Sequence, residues 1–305
     1  MGTLIGHVGP GFGFFIIGFW HLFNHLKLLA QNGPNNYKSL AWFPTKLHRL
    51  RRLELYLIML GCLLSVAMEL FIGPSRHQPF DNDGTIPSNH LHNFEHSSIS
   101  LTFFVYAFFG LALDKWAPTN IPAQYEVLQL LGALAFGQQL LLFHLHSADH
   151  MGVEGQYHWL LQLVIFISLS TTLLGIACPV YQGVWMMVMG FALWTPGFIS
   201  KGCFMHDEHG HQVVRCDGHD SLHRAKALVN IQFSWFLILL AIFAASFYVF
   251  MMKFCDGEKL GYSPMALSDQ EEDVEAQKIA PKFTETQSFV NSSSNNNNKA
   301  IDHME

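Results

Sequence analysis

The sequence predicts an all-α polytopic membrane protein: seven transmembrane helices in one bundle, followed by a disordered C-terminal tail. Three observations carry that reading. Half of the 305 residues are hydrophobic and only 13% are charged. The apolar residues, 27 phenylalanines among them, lie in long runs and not in the pattern of a soluble core. Pro, Gly and charged breaks divide those runs at a spacing that suits a bilayer. A helix needs roughly 20 mainly apolar residues to cross about 30 Å of hydrocarbon, and seven stretches meet the test: 4–30, 53–72, 90–113, 126–146, 158–177, 181–200 and 223–252. Residues 1–254 form the membrane domain and 255–305 the tail.

The first stretch is apolar almost from Met1, with no basic leader or small-residue cleavage site, so it reads as a retained span. Between the first two spans, Trp42, Phe43, Leu47 and Leu50 alternate with basic residues, as in a segment lying in the membrane interface. That loop also sets the orientation. It holds Lys38, Lys46, Arg49, Arg51 and Arg52, whereas the loop over 73–89 has only Arg76 and the loop over 147–157 has neither Lys nor Arg. Basic loops stay cytoplasmic, which puts the N-terminus in the lumen or outside and the tail in the cytoplasm. The net charge of −6 belongs to the tail, where ten of the 23 acids meet four of the 17 basic residues. Its acidic cluster over 269–275 and its Asn/Ser run over 291–298 leave little to build a core. No basic nucleic-acid footprint is present.

One pattern occurs twice, His92-Asn-Phe-Glu95-His96 and His146-Ser-Ala-Asp149-His150, each copy at the end of a span. On a helix, positions i, i+3 and i+4 share a face, so each copy presents two imidazoles and a carboxylate on one stripe. The topology then brings distant residues to one depth. His7 opens span one, Glu69 closes span two, His90 to His96 open span three, and His144 and His146 close span four. His158 opens span five, and His219 and His223 precede span seven. Ionisable groups at such depths usually turn into the bundle and pair or bind something. Histidines at helix ends are also commonly plain interfacial residues.

His7, His92, His96, His144, His146, His150, His158 and His219 are therefore candidate metal ligands, and Glu69, Glu95 and Asp149 candidate catalytic carboxylates. Three histidines with a carboxylate or water suit Zn²⁺, and a larger mixed set suits Fe or Mn. Each carboxylate is open to three roles: ligand, orienter of an imidazole, or general base on metal-bound water. His21 and His25 repeat the i, i+4 spacing in the cytoplasmic half and stand outside this set. Cys203 and Cys216 face the oxidising side and suit a disulfide, with a Cys/His metal clip including His206, His209 and His211 as the alternative. Gly9, Gly11 and Gly13 around Pro10 suggest close helix packing more than phosphate binding. No Walker-type loop, nucleophile elbow or matched pair of broken helices occurs.

The opening Gly6-His7-Val8-Gly9-Pro10-Gly11, the following Phe14-Phe15-Ile16-Ile17-Gly18-Phe19-Trp20, Glu69, His96 with its aromatic run to Gly110, and His144-x-His146 together resemble the transmembrane protein 45 family, known in plants as viral-response family proteins. The resemblance covers residues 1–252. It implies a seven-helix fold in endomembranes (ER or Golgi) or the plasma membrane. It implies polar positions at His7, Glu69, His96, His144, His146, His158 and His219, with His92 and His150 as additions of this chain. The functional expectation is a metal-dependent membrane enzyme, hydrolytic or oxygen-activating, acting on a lipid-like or apolar small molecule that enters between helices. The alternative is a non-enzymatic scaffold or trafficking protein with membrane-protein partners, in stress or defence responses, or a proton- or metal-responsive transporter.

Overall fold

A computed structural model describes residues 3–33, 35–45, 47, 50–74, 77–87, 90–116, 123–147, 151–176, 178–208 and 211–255. Seven helices run through them: α1 (Leu4–Asn32), α2 (Leu53–Ala67), α3 (Leu91–Trp116), α4 (Ala123–Ser147), α5 (Gly152–Leu173), α6 (Val180–Trp194) and α7 (Gly218–Cys255). Five of these stretches are long and apolar enough to cross a membrane: Leu4–Asn32, Leu53–Ile72, Leu91–Trp116, Gln124–Leu145 and Gly218–Met251. The chain is thus a helical integral membrane protein. Each of the seven predicted stretches contains a helix among its described residues, but α5 and α6 fall short of that measure. α6 has 15 residues, about 22 Å at about 1.5 Å per residue. α5 is long enough but carries Glu154, Gln156, His158, Gln162, Ser168 and Thr172.

The reason lies in packing. α2, α3, α4, α5, α6 and α1 follow one another around the bundle, α1 meets α2, and α7 lies against α5 and α1. α5 supplies the densest part of the core, where Leu161, Val164 and Ile165 meet Trp185, Met189 and Leu193 of α6. Trp185 in turn packs against Phe233 (4.7 Å between ring centroids) and Phe236 (5.2 Å) of α7. A helix covered by protein need not be apolar all round, because neighbouring helices satisfy its polar groups. The outer helices show the reverse pattern, with Leu57, Leu60 and Leu64 of α2 and Ile231, Trp235 and Leu239 of α7 exposed.

α1 and α6 make the closest contact, and glycines make it possible. A Cβ on Gly18 would lie 2.1 Å from the Val180 nitrogen, and one on Gly183 2.2 Å from the Phe15 nitrogen; Gly11 faces the Gly183 carbonyl at 3.0 Å. Small residues seven apart on both helices, Gly11 and Gly18 against Gly183 and Gly190, form this seam. Of the predicted glycine cluster, Gly11 packs this way; a Cβ on Gly9 or Gly13 would meet no other element within 4 Å among the described residues.

At the ends of α1, Thr3 Oγ1 accepts the Gly6 amide at 3.1 Å, and Gly33 closes the helix with φ 70°. The segment after it is held by Glu54 at the start of α2. This buried carboxylate accepts from the Trp20 indole (3.0 Å), from His21 Nε2 (2.7 Å) and from the Phe43 amide (2.9 Å). Arg51 Nη2 and Arg52 Nε donate to Asp114 at 3.0 and 2.5 Å, tying the entry of α2 to the end of α3. Asp114→Ala is expected to cost about 1 kcal/mol, given the partial exposure of these groups. It should appear as faster amide exchange over 50–56 with the rest of the bundle unchanged.

Among the described residues, the departure from all-α is a hairpin. β1 (Cys203–Glu208) pairs antiparallel with β2 (His211–Cys216), with Cys203 opposite Cys216. Those two cysteines form a disulfide, which settles the choice against a Cys/His clip. Arg215 pairs with Glu208 across the hairpin, and Val214 enters the core beside α5.

Candidate functional site

Glu69 lies in a π-helical turn, Met68–Ile72, that ends α2. The Gly73 amide closes it by donating to the Met68 carbonyl at 2.7 Å, an i+5 bond. Such turns add a residue to a helix and re-aim its side chains. Here Glu69 points into the bundle, 4% exposed. Asn93 Nδ2 of α3 donates to Glu69 Oε2 and to the Glu69 carbonyl, 3.0 Å each, and His96 Nδ1 lies 3.3 Å from Oε1.

From His96 a ladder of rings crosses the bundle. Phe143 of α4 lies 6.2 Å from His96 and 6.4 Å from His158 of α5. His158 meets His7 of α1 edge-on at 5.7 Å, and His7 stacks on Trp194 at the end of α6, at 4.4 Å and 25°. Gly190 permits that last approach, since a Cβ there would lie 3.1 Å from His7 Cβ. Six helices thus contribute to one continuous polar and aromatic path.

The backbone fixes two of the imidazoles. His7 Nδ1 lies 3.1 Å from the Thr3 carbonyl and His158 Nδ1 2.9 Å from the Glu154 carbonyl. A carbonyl only accepts, so in both rings Nδ1 carries the hydrogen and the neutral tautomer leaves Nε2 as the acceptor nitrogen. Two facing imidazoles of this kind can take up a proton or meet a hydrogen-bond donor, and a proton on one repels a proton on the other.

Of the predicted site residues, His7, Glu69, His96 and His158 come together. His92 and His96 do not act as one stripe: Glu95 pairs with His92 on its own helix at 3.2 Å, while His96 turns to Glu69. His144 pairs with Gln162 of α5 at 3.1 Å. His219 stands exposed on the first turn of α7, 6.4 Å from His223, so the expectation that it joins the rim is corrected. The His146 side chain, Asp149 and His150 lie outside the described residues, and with them most of the second motif copy. Among the described residues, no three His, Cys, Asp or Glu side chains are grouped so as to hold a metal ion. Sequence reasoning missed Asn93, Phe143 and Trp194. Asn93 sits inside the His92–His96 motif, and its spacing was the available signal.

Beside the ladder, a groove of about 840 Å³ opens between α5, α6 and α7. Val184, Met187, Val188 and Phe191 make its apolar wall; Tyr157 donates to Gln232 Oε1 at 2.6 Å at its polar edge.

One comparison with known proteins bears on this site. A model described as "Family of unknown function (DUF716)" matches residues 125–249. The match runs from α4 into α7 and takes in Phe143, His158, Trp194 and the disulfide hairpin, while His7, Glu69 and His96 precede it.

Proposed function

We propose that the chain is a seven-helix membrane protein of the transmembrane protein 45 family whose ring ladder is a proton-responsive element, in the manner of a transporter or receptor. The observation that carries this reading is the facing pair His7 and His158. Each ring has Nδ1–H on its own helix's carbonyl, and the rings lie 5.7 Å apart between α1 and α5. A proton on Nε2 of either ring places a cation beside the other imidazole, with His96 and its Glu69 partner across Phe143. The bundle answers by shifting α1 against α5 or by drawing the cation toward Glu69. The family match over 125–249 and the opening residues around His7 support the family. The burial of α5 supports seven spans, because its polar residues face protein. The Cys203–Cys216 disulfide supports an oxidising compartment, lumen or exterior, for the hairpin side. A lipid-like molecule would lie in the groove between α5, α6 and α7.

Trp194 reports on this directly, since imidazolium quenches a stacked indole more strongly than neutral imidazole does. The emission difference between the native protein and Trp194→Phe isolates this residue from the other tryptophans. On acidification that emission should fall, and His7→Phe should abolish the fall. An acid response unaltered by His7→Phe and His158→Asn would overturn the proposal.

The metalloenzyme expectation requires His146, Asp149 or His150 to complete a ligand set with His96 and His158. Elemental analysis of purified protein separates the two readings. Zn, Fe or Mn far below one per chain is the expected result, and a stoichiometric metal lost in His96→Ala would favour the enzyme.

A further inference from the structure

His21 and His25 lie one turn apart on α1, at the end of the bundle opposite the ring ladder, and each is 3% exposed. Each ring has one polar partner. The Glu54 carboxylate already accepts from the Trp20 indole and the Phe43 amide. Both of those donors sit on Oε2, and His21 Nε2 meets Oε1 at 2.7 Å, donating its hydrogen where Glu54 is the carboxylate. In that tautomer the other ring nitrogen, Nδ1, is the acceptor. Tyr37, in the segment between α1 and α2, has its phenol pushed up to about 12 by burial. Its hydroxyl lies 2.6 Å from His25 Nδ1; in the arrangement where the phenol donates, the His25 hydrogen sits on Nε2.

His21 Nδ1 and His25 Nε2 are both buried with no hydrogen-bond partner among the described residues. In the tautomers above, one is an acceptor and the other a donor. Their ring centroids are 5.9 Å apart, and one oxygen between two ring nitrogens spans up to roughly twice a hydrogen-bond length of about 2.8 Å. The Phe43 ring packs edge-on against both, at 5.3 and 4.7 Å, and offers neither a polar atom.

We propose that His21 and His25 form a binding site for a single hydroxyl group, which accepts from His25 Nε2–H and donates to His21 Nδ1. A metal ion mismatches this pair, because one of the two nitrogens carries a hydrogen. An anion mismatches it because the Glu54 carboxylate is adjacent, and a bare carbonyl cannot supply the donor that Nδ1 needs. A hydroxyl, from water or from a lipid alcohol, supplies both. It completes a chain from Tyr37 through His25, the hydroxyl and His21 to Glu54, linking the 37–43 segment, α1 and α2. This inference does not depend on the proton-responsive reading of the ring ladder.

The test is solid-state NMR of the full-length protein, labelled with ¹⁵N-histidine, in two kinds of vesicle. One is phosphatidylcholine alone, which has no hydroxyl; the other has diacylglycerol added. His21 Nδ1 should show the shift of a hydrogen-bonded acceptor, and His25 should be protonated at Nε2. If the signature is present in phosphatidylcholine alone, with cross-peaks to water, the hydroxyl is water. If it appears only with diacylglycerol, the hydroxyl belongs to a lipid. Tyr37→Phe, which leaves both histidines in place, should remove the His21 Nδ1 signature by freeing the His25 tautomer. Non-bonded shifts at His21 Nδ1 in both vesicles, His25 protonated at Nδ1, or a His21 signal indifferent to Tyr37→Phe would each overturn the proposal.

Discussion

Leucine in place of Gly18 or Gly183 is expected to eliminate the folded bundle from detergent extracts. At both positions the first side-chain carbon would meet backbone atoms of the partner helix, at 2.1 and 2.2 Å. Backbone cannot rotate aside as a side chain can, so α1 and α6 must separate. Overpacking a core commonly costs about 1–3 kcal/mol and more where the backbone must move. Separating this seam also removes Gly190 from His7 and thereby disrupts the stacking on Trp194. Alanine should already lower the melting temperature sharply. Gly9→Leu and Gly13→Leu are the controls, since both positions are open, and they should leave monodispersity and melting near the native values. A seam variant that stays monodisperse with native melting would refute the assigned contact.

Glu54→Ala carries the second large effect. It strands the Trp20 indole N–H, His21 Nε2–H and the Phe43 amide, in a place where Glu54 itself is 3% exposed. An unsatisfied buried donor costs about 1–3 kcal/mol. The three are coupled through one carboxylate and do not add, so a total of roughly 3–5 kcal/mol is expected, below three times the single-donor cost. Glu54→Gln retains one acceptor oxygen and should lose markedly less. Thermal unfolding of the two variants in one detergent reads the difference; equal losses would mean that helix packing, and not the hydrogen-bonded carboxylate, holds the 37–54 segment.

These cases show which parts of the molecule the sequence made legible. Depth along the membrane normal follows from span boundaries and basic loops, and it placed His7, Glu69, His96 and His158 at one level. Rotation about each helix axis does not follow, because it is set by packing between helices that share no sequence signal. His219, expected at the same level, stands exposed, whereas His158 turns inward. Glu54 lies at the start of the second predicted span, and nothing local announces that Trp20, His21 and Phe43 converge on it. The same limit applies to His92 and His96, whose shared stripe gave way when Glu95 and Glu69 took one ring each. In the sequence, 203–216 is a loop open to a disulfide or a Cys/His clip, and the strand pairing depends on a register that two cysteines alone leave open. α5 was recognised from length, and its polar residues make sense once its neighbours are known.

The central claim is that residues from separate helices meet at one rim, and cysteine cross-linking tests it most directly. Cys62, Cys178 and Cys255 are replaced by serine, the disulfide pair is kept, and cysteines are placed at His7 and His158. A short bis-methanethiosulfonate reagent should join the two in native membranes, giving one linked peptide pair by mass spectrometry. A protein in which each new cysteine reacts singly, with no link between them, would contradict the account.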